Sequence, residues 1–308
     1  MKTMIRPRLM ALGGSLLLSG ALPAYAADWS DTSISYRYLP QESGFSLDSN
    51  NQPLDVAKSI IQLTHVSGYK YGSNFFDVNF IKSDNNNPAD DGTLPFGPAP
   101  GTGSGAVEVF GMYRHNLSLG AVSGRDLKFG PVKDISLTAG FNLSTKNDFN
   151  GAATRAVALG PTFHFALPAG FFNVGLLAYK ESNNTAFGIT DASGKVLSPP
   201  GRVSYDWTAQ LAAAWSVPFH AGIPAKLQGF LAVTGPKGML TKTETLLDTT
   251  VMFDIGSLAG KKDTFYAGIG YRYWNNKFGT DEGAAGYQGL VNKAGHVSTP
   301  IVQLEAHF

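Results

Sequence analysis

Alternation is the strongest pattern along this chain. From Arg202 to Val217 the odd positions are Val203, Tyr205, Trp207, Ala209, Leu211, Ala213, Trp215 and Val217, and the even positions are polar or small. A β-strand sends successive side chains to opposite faces, so the run predicts a strand with one apolar and one polar face. A soluble sandwich strand alternates too, but it has no need of so long a run with aromatics flanking the apolar middle. A lipid-facing band between two aromatic girdles does. The pattern recurs at Ile135, Leu137, Ala139, Phe141 and Leu143, then at Val157, Leu159, Phe163, Phe165 and Leu167. It returns at Phe265, Ala267, Ile269, Tyr271 and Tyr273, and last at Val302, Leu304, Ala306 and Phe308.

Read throughout, the alternation predicts twelve strands, near 30–39, 56–66, 69–82, 105–118, 133–145, 155–167, 171–181, 202–217, 225–235, 240–254, 263–274 and 298–308. The fold class expected is all-β: a single transmembrane antiparallel β-barrel over 27–308, with long extracellular loops and short periplasmic turns. The links support this. Those at 83–104, 182–201 and 275–297 are long and polar or glycine-rich, and all three fall on the same side, whereas 66–68 and 168–170 are tight. The 119–132 link is a long exception on the periplasmic side.

Composition changes the picture at the N-terminus. Lys2, Arg6 and Arg8 precede an apolar run from Leu9 to Leu22, and Ala24-Tyr25-Ala26 follows. A basic region, a short apolar region and an A-x-A end predict a secretory signal peptide over 1–26. The run is too short for the ~20 apolar residues of a helical span. Without it, 21 basic residues remain against 23 acidic ones, a net charge of −2. Nothing concentrates the basic patch that a nucleic-acid binder shows. The chain has no cysteine, although export permits disulfides.

In a barrel, charges in phase with the polar face line the lumen. The candidates are Asp77, Glu108, Arg114, Tyr179, Arg202, Asp206, Lys242, Glu244, Arg272 and Trp274. Both charge signs with some aromatics suit a neutral solute with a π-face and hydroxyls. The blander reading is that these charges pair across the lumen and brace the wall, because a buried charge demands a partner. The six histidines show no metal-ligand spacing, so no metal or cofactor is expected. His164 is in phase with the lumen, yet no nearby serine or acidic residue forms a recognisable triad with it.

Several runs carry a family resemblance. They include Ile61-Gln62-Leu63-Thr64-His65, Tyr69-Lys70-Tyr71-Gly72-Ser73-Asn74-Phe75-Phe76-Asp77 and Val107-Glu108-Val109-Phe110-Gly111-Met112-Tyr113-Arg114. Phe129-Gly130-Pro131-Val132-Lys133-Asp134 and Gly270-Tyr271-Arg272-Tyr273-Trp274 complete the set. Together they resemble the nucleoside-specific outer-membrane channel family, Tsx and its OmpK-like relatives, with the OmpK-like branch nearer. The resemblance implies a monomeric twelve-stranded barrel with a narrow channel for nucleosides. The terminal strand ending in Phe308 also resembles the segment that the barrel assembly machinery recognises in outer-membrane barrels.

The expected function is thus diffusion of small polar solutes, nucleosides or similar, across the outer membrane of a Gram-negative bacterium, without catalysis. The expected partners are outer-membrane lipids, the assembly machinery and a small-molecule solute. Two other classes stay open: a barrel enzyme acting on lipids as hydrolase or acyl transferase, and a structural or adhesive barrel that binds partners through 83–104 and 275–297.

Overall fold

A computed structural model describes residues 27–50, 52–92, 97–281 and 295–308. The expected signal peptide over 1–26 lies outside these residues, as does most of the 275–297 link. The long strands are β1 (Trp29–Leu47), β2 (Pro53–Tyr69), β3 (Gly72–Ser83), β4 (Val107–Ser118), β5 (Val132–Lys146), β6 (Arg155–Phe165) and β7 (Phe171–Thr185). Three short strands follow, β8 (Ile189–Thr190), β9 (Val196–Ser198) and β10 (Gly201–Ser204). The remaining long strands are β11 (Thr208–Ala221), β12 (Ile223–Thr234), β13 (Glu244–Asp254), β14 (Phe265–Asn275) and β15 (Val297–His307).

Every neighbouring pair of long strands is antiparallel, and β15 pairs back onto β1 from Ser33↔His307 to Tyr38↔Val302. The twelve long strands therefore close, and closure leaves no unpaired edge. Polarity is inverted relative to a soluble protein. Ile269 is 67% exposed on the outer face, and Leu159 and Leu304 are each 51% exposed. Many inward positions on the same strands are polar or small, as at Thr162 and Gln303, although Ile301 also points inward. A closed sheet with an apolar exterior is solvated by lipid, so this is a membrane-spanning barrel.

The links obey the expected asymmetry. At one end β2 turns into β3 through Lys70-Tyr71, and β11 into β12 through Gly222, which has φ +80°. The 119–132 exception folds into a short helix, α1 (Leu119–Ser123). The Ser118 hydroxyl accepts from the Ala121 amide, and Gly124 stops the helix in the left-handed region at φ +66°. At the other end lie the longer excursions, including the β8–β9 hairpin.

The run from Arg202 to Val217 is not one strand. Val203 pairs with Asn183 and points inward, whereas on β11 the inward residue is Gln210, paired with Leu177. The phase flips across Tyr205–Trp207. There the Tyr205 amide donates to the Glu181 carbonyl and the Asp206 amide to the Lys237 carbonyl, 2.7 Å away. A contact with the β12–β13 link thus interrupts the ladder. One consequence is that Arg202 faces outward, where it is exposed and donates to the Ser182 hydroxyl at 3.1 Å.

Candidate functional site

One side of the barrel interior is packed solid. On the inward faces of β15 and β1, Thr299 is 0% exposed, Ile301 1% and Arg37 4%. At the outer end of this side Glu42 receives three cations. Its Oε1 lies 2.5 Å from both Lys58 Nζ and Lys277 Nζ, and its Oε2 accepts from Arg272 Nη1 at 3.2 Å. Asp248 bridges Arg37, at 2.6 Å, and Arg272, at 2.7 Å. Lys277 reaches in from the link after β14. Burial pushes its ammonium down to about 8, although the Glu42 carboxylate works in the other direction.

A second cluster sits beside it. Lys237 lies in the β12–β13 link, yet it is fully buried because its ammonium is bonded to Glu181 at 2.9 Å and lies 3.7 Å from Glu244. Glu181 also accepts from the Tyr179 hydroxyl at 2.9 Å, and Glu244 from Trp274 Nε1 at 2.7 Å.

The inward faces of β6 and β7, across the barrel, are also buried at Ala156, Ala158, Leu177 and Tyr179, and the more open surface lies on two flanks, β4 and β12. Inward positions on β4, from Glu108 through Phe110, Met112 and Arg114 to Asn116, are all partly exposed. On β12, Lys226, Gln228, Phe230 and Ala232 share that property. Arg114, Gly140, Ala158 and Tyr179 form one row across four strands. Gly140 makes room in that row: a Cβ there would lie 2.6 Å from Arg114 Cδ and 2.2 Å from the Tyr113 carbonyl. The Arg114 guanidinium donates to the carbonyls of Tyr113 and Phe141 at 2.8 and 3.0 Å. Among the described residues, neither Arg114 nor Glu108 makes an ion pair.

The ten sequence candidates therefore separate into groups. Arg272 belongs to the Glu42–Asp248 cluster, and Glu244, Trp274 and Tyr179 to the Lys237 cluster. Asp77 is buried on β3, where it accepts from Gln62 at 2.7 Å, from Thr64 at 2.8 Å and from Asn79. Glu108 and Arg114 face the lumen from β4, with no ionic partner among the described residues. Three placements differ from expectation. Arg202 faces outward for the reason given above. Asp206 is an exposed residue in the break between β10 and β11. Lys242 precedes β13 rather than lying on its wall, and it pairs with Asp281 at 2.6 Å in the outer link.

Several groups the structure brings together were not among the sequence candidates, including Arg37, Lys58, Asp248 and Glu181, and four others show why. Glu42 and Lys237 lay in segments expected to be links, and nothing local marks them as inward. Ser136 and Asn173 are the other two. Ser136 Oγ lies 2.7 Å from His164 Nε2, and Asn173 Oδ1 lies 2.8 Å from His164 Nδ1. The three residues sit on β5, β6 and β7, so their proximity depends on strand register. They are set at the short-link end, where Ser136 and His164 line a cavity of about 240 Å³ together with Tyr69, Lys70, Asn116 and Lys133.

The fold defines a closed twelve-stranded transmembrane β-barrel of the outer-membrane type. No family model matches the chain, and no curated protein matches it. Among solved structures, the KdgM porin in complex with disordered oligogalacturonate is similar at 8% identity, over 90% of this chain and 99% of that one, with a TM-score of 0.41. The translocator domain of the autotransporter NalP from Neisseria meningitidis is similar at 9% identity, over 92% and 90%, with a TM-score of 0.41. OprB of Pseudomonas putida is similar at 8% identity, over 91% and 94%, with a TM-score of 0.31. These are weak likenesses between barrels.

Proposed function

We propose that this barrel is a narrow diffusion channel for small polar solutes, and that the solute moves along the β4 wall. The supporting observation is the partial exposure of every inward side chain on β4, against the buried faces of β1 and β15. Arg114 and Glu108 make no ion pair among the described residues. Phe110 and Met112 lie between them, and Phe230 is partly exposed on β12. Apolar side chains beside a ring, with charged groups hydrogen-bonding hydroxyls, suit a nucleoside or a solute of similar build, as the resemblance to the nucleoside channel family implies. Each contact is weak and repeated, as conduction requires.

Uptake by liposomes holding the pure protein tests this reading, with nucleosides, short sugars and aromatic acids compared. Nucleosides should enter faster than sugars of equal size. Equal rates would remove the nucleoside preference, and no uptake of any solute would remove the channel. Arg114 provides a sharper check. Arg114→Gln should shift the reversal potential in a salt gradient toward cation preference, whereas a residue that only braces the wall would leave the potential unchanged.

A further inference from the structure

We propose that Ser136, His164 and Asn173 form an acyl-ester hydrolysis site at the periplasmic mouth of the lumen, where the β4 wall ends at Asn116. The argument begins with hydrogen-bond roles. The Asn173 amide oxygen can only accept, so His164 Nδ1, 2.8 Å away, carries the ring proton. His164 Nε2 is then unprotonated and accepts from the Ser136 hydroxyl at 2.7 Å. The neighbours thus select the tautomer that a general base needs. This is the relation of nucleophile, base and orienting group that serine hydrolases share on unrelated folds.

The surroundings suit the chemistry. Both reacting side chains border the cavity of about 240 Å³, which has room for a short acyl group. Asn116, Lys70 and Lys133 also line this cavity and make its wall polar. Asp134 lies across the strand pair from His164 and is held by the Ser118 hydroxyl at 2.6 Å. It adds negative charge near the imidazole without displacing Asn173.

In the first step Ser136 Oγ attacks the ester carbonyl carbon while His164 Nε2 takes the hydroxyl proton. His164 returns that proton to the leaving alkoxide, which departs as an alcohol, and the acyl group stays on Ser136. A water then attacks the acyl carbon with His164 again as base. The acid leaves and the Ser136 hydroxyl is restored. No co-reactant other than water is needed. Ser136 and His164 are the catalytic residues; Asn173 is a positioning residue that acts through His164.

The test uses the full-length barrel in detergent micelles with p-nitrophenyl acetate as substrate and a fluorophosphonate probe for the serine. Wild type should hydrolyse the ester and be labelled at Ser136. Ser136→Ala should abolish labelling, and Ser136→Ala and His164→Gln should each lower turnover by about a hundredfold or more. Single-channel conductance shows that each variant has folded. Asn173→Ala should lower kcat with little change in KM. Asn173→Asp should restore turnover and move the acid limb of the pH profile upward, because a carboxylate stabilises the imidazolium; Asp134 and Lys133 are unchanged in that comparison. A conducting wild-type barrel with neither turnover nor labelling overturns the proposal, as does full turnover in Ser136→Ala. A barrel that is labelled at Ser136 but does not conduct would instead overturn the channel reading alone.

Discussion

At the scale of single residues, Glu42 has the most concentrated role. Lys58, Lys277 and Arg272 all converge on its carboxylate, which is 1% exposed. Three cations packed together without an anion would repel one another away from water. Removing one partner of a buried ion pair costs about 3–5 kcal/mol, because the charge left behind is uncompensated. Glu42→Gln should therefore lower unfolding stability by about that much, read from urea titration in phospholipid vesicles. A loss below about 1 kcal/mol would mean that water reaches these groups. Lys237 illustrates the same logic from the other sign. A lysine in a link is ordinarily solvated, but two carboxylates bring this one fully inside.

At the scale of elements, β4 and β12 differ from the strands beside β1. Their inward side chains keep exposed surface along the length of the strand, so bulk added there should narrow the path. Ala232→Trp on β12 should lower single-channel conductance severalfold. The same residue placed at Ile269 faces lipid and should leave conductance unchanged. If both variants conduct like wild type, the path does not run between β4 and β12. Element boundaries also show where local pattern competes with tertiary contact. The alternation from Arg202 to Val217 reads as one strand, yet the Asp206 amide bonds to the Lys237 carbonyl and the phase reverses. The interruption arises from a residue thirty-one positions away, which no window centred on Asp206 contains.

At the scale of the whole molecule, stability depends on the match between an apolar exterior and lipid. Arginine on the lipid face near the bilayer midplane costs about 2–4 kcal/mol, falling toward zero at the interfaces. Ile269, near the middle of β14 and 67% exposed, is the position to try. Ile269→Arg should lose about that much stability in vesicles and little in a detergent micelle, which deforms around the charge. Equal losses in both would place Ile269 outside the hydrocarbon band.

The sequence by itself determined which side chains face lipid and which face inward on most strands. That information is local: a strand alternates with period two, and closure needs only that each strand present one apolar face. Glu108, Arg114, Tyr179 and Arg272 were legible as inward residues for that reason. Only the tertiary structure decided what each inward residue does, because partners are set by register between strands far apart in the chain. Lys277 and Glu42 are separated by 235 positions and Arg37 and Asp248 by 211, and Ser136, His164 and Asn173 meet across three neighbouring strands. Alternation gives a side chain its face, but the closed register gives it its neighbours, and those neighbours determine whether a charge is spent on bracing or left for a solute.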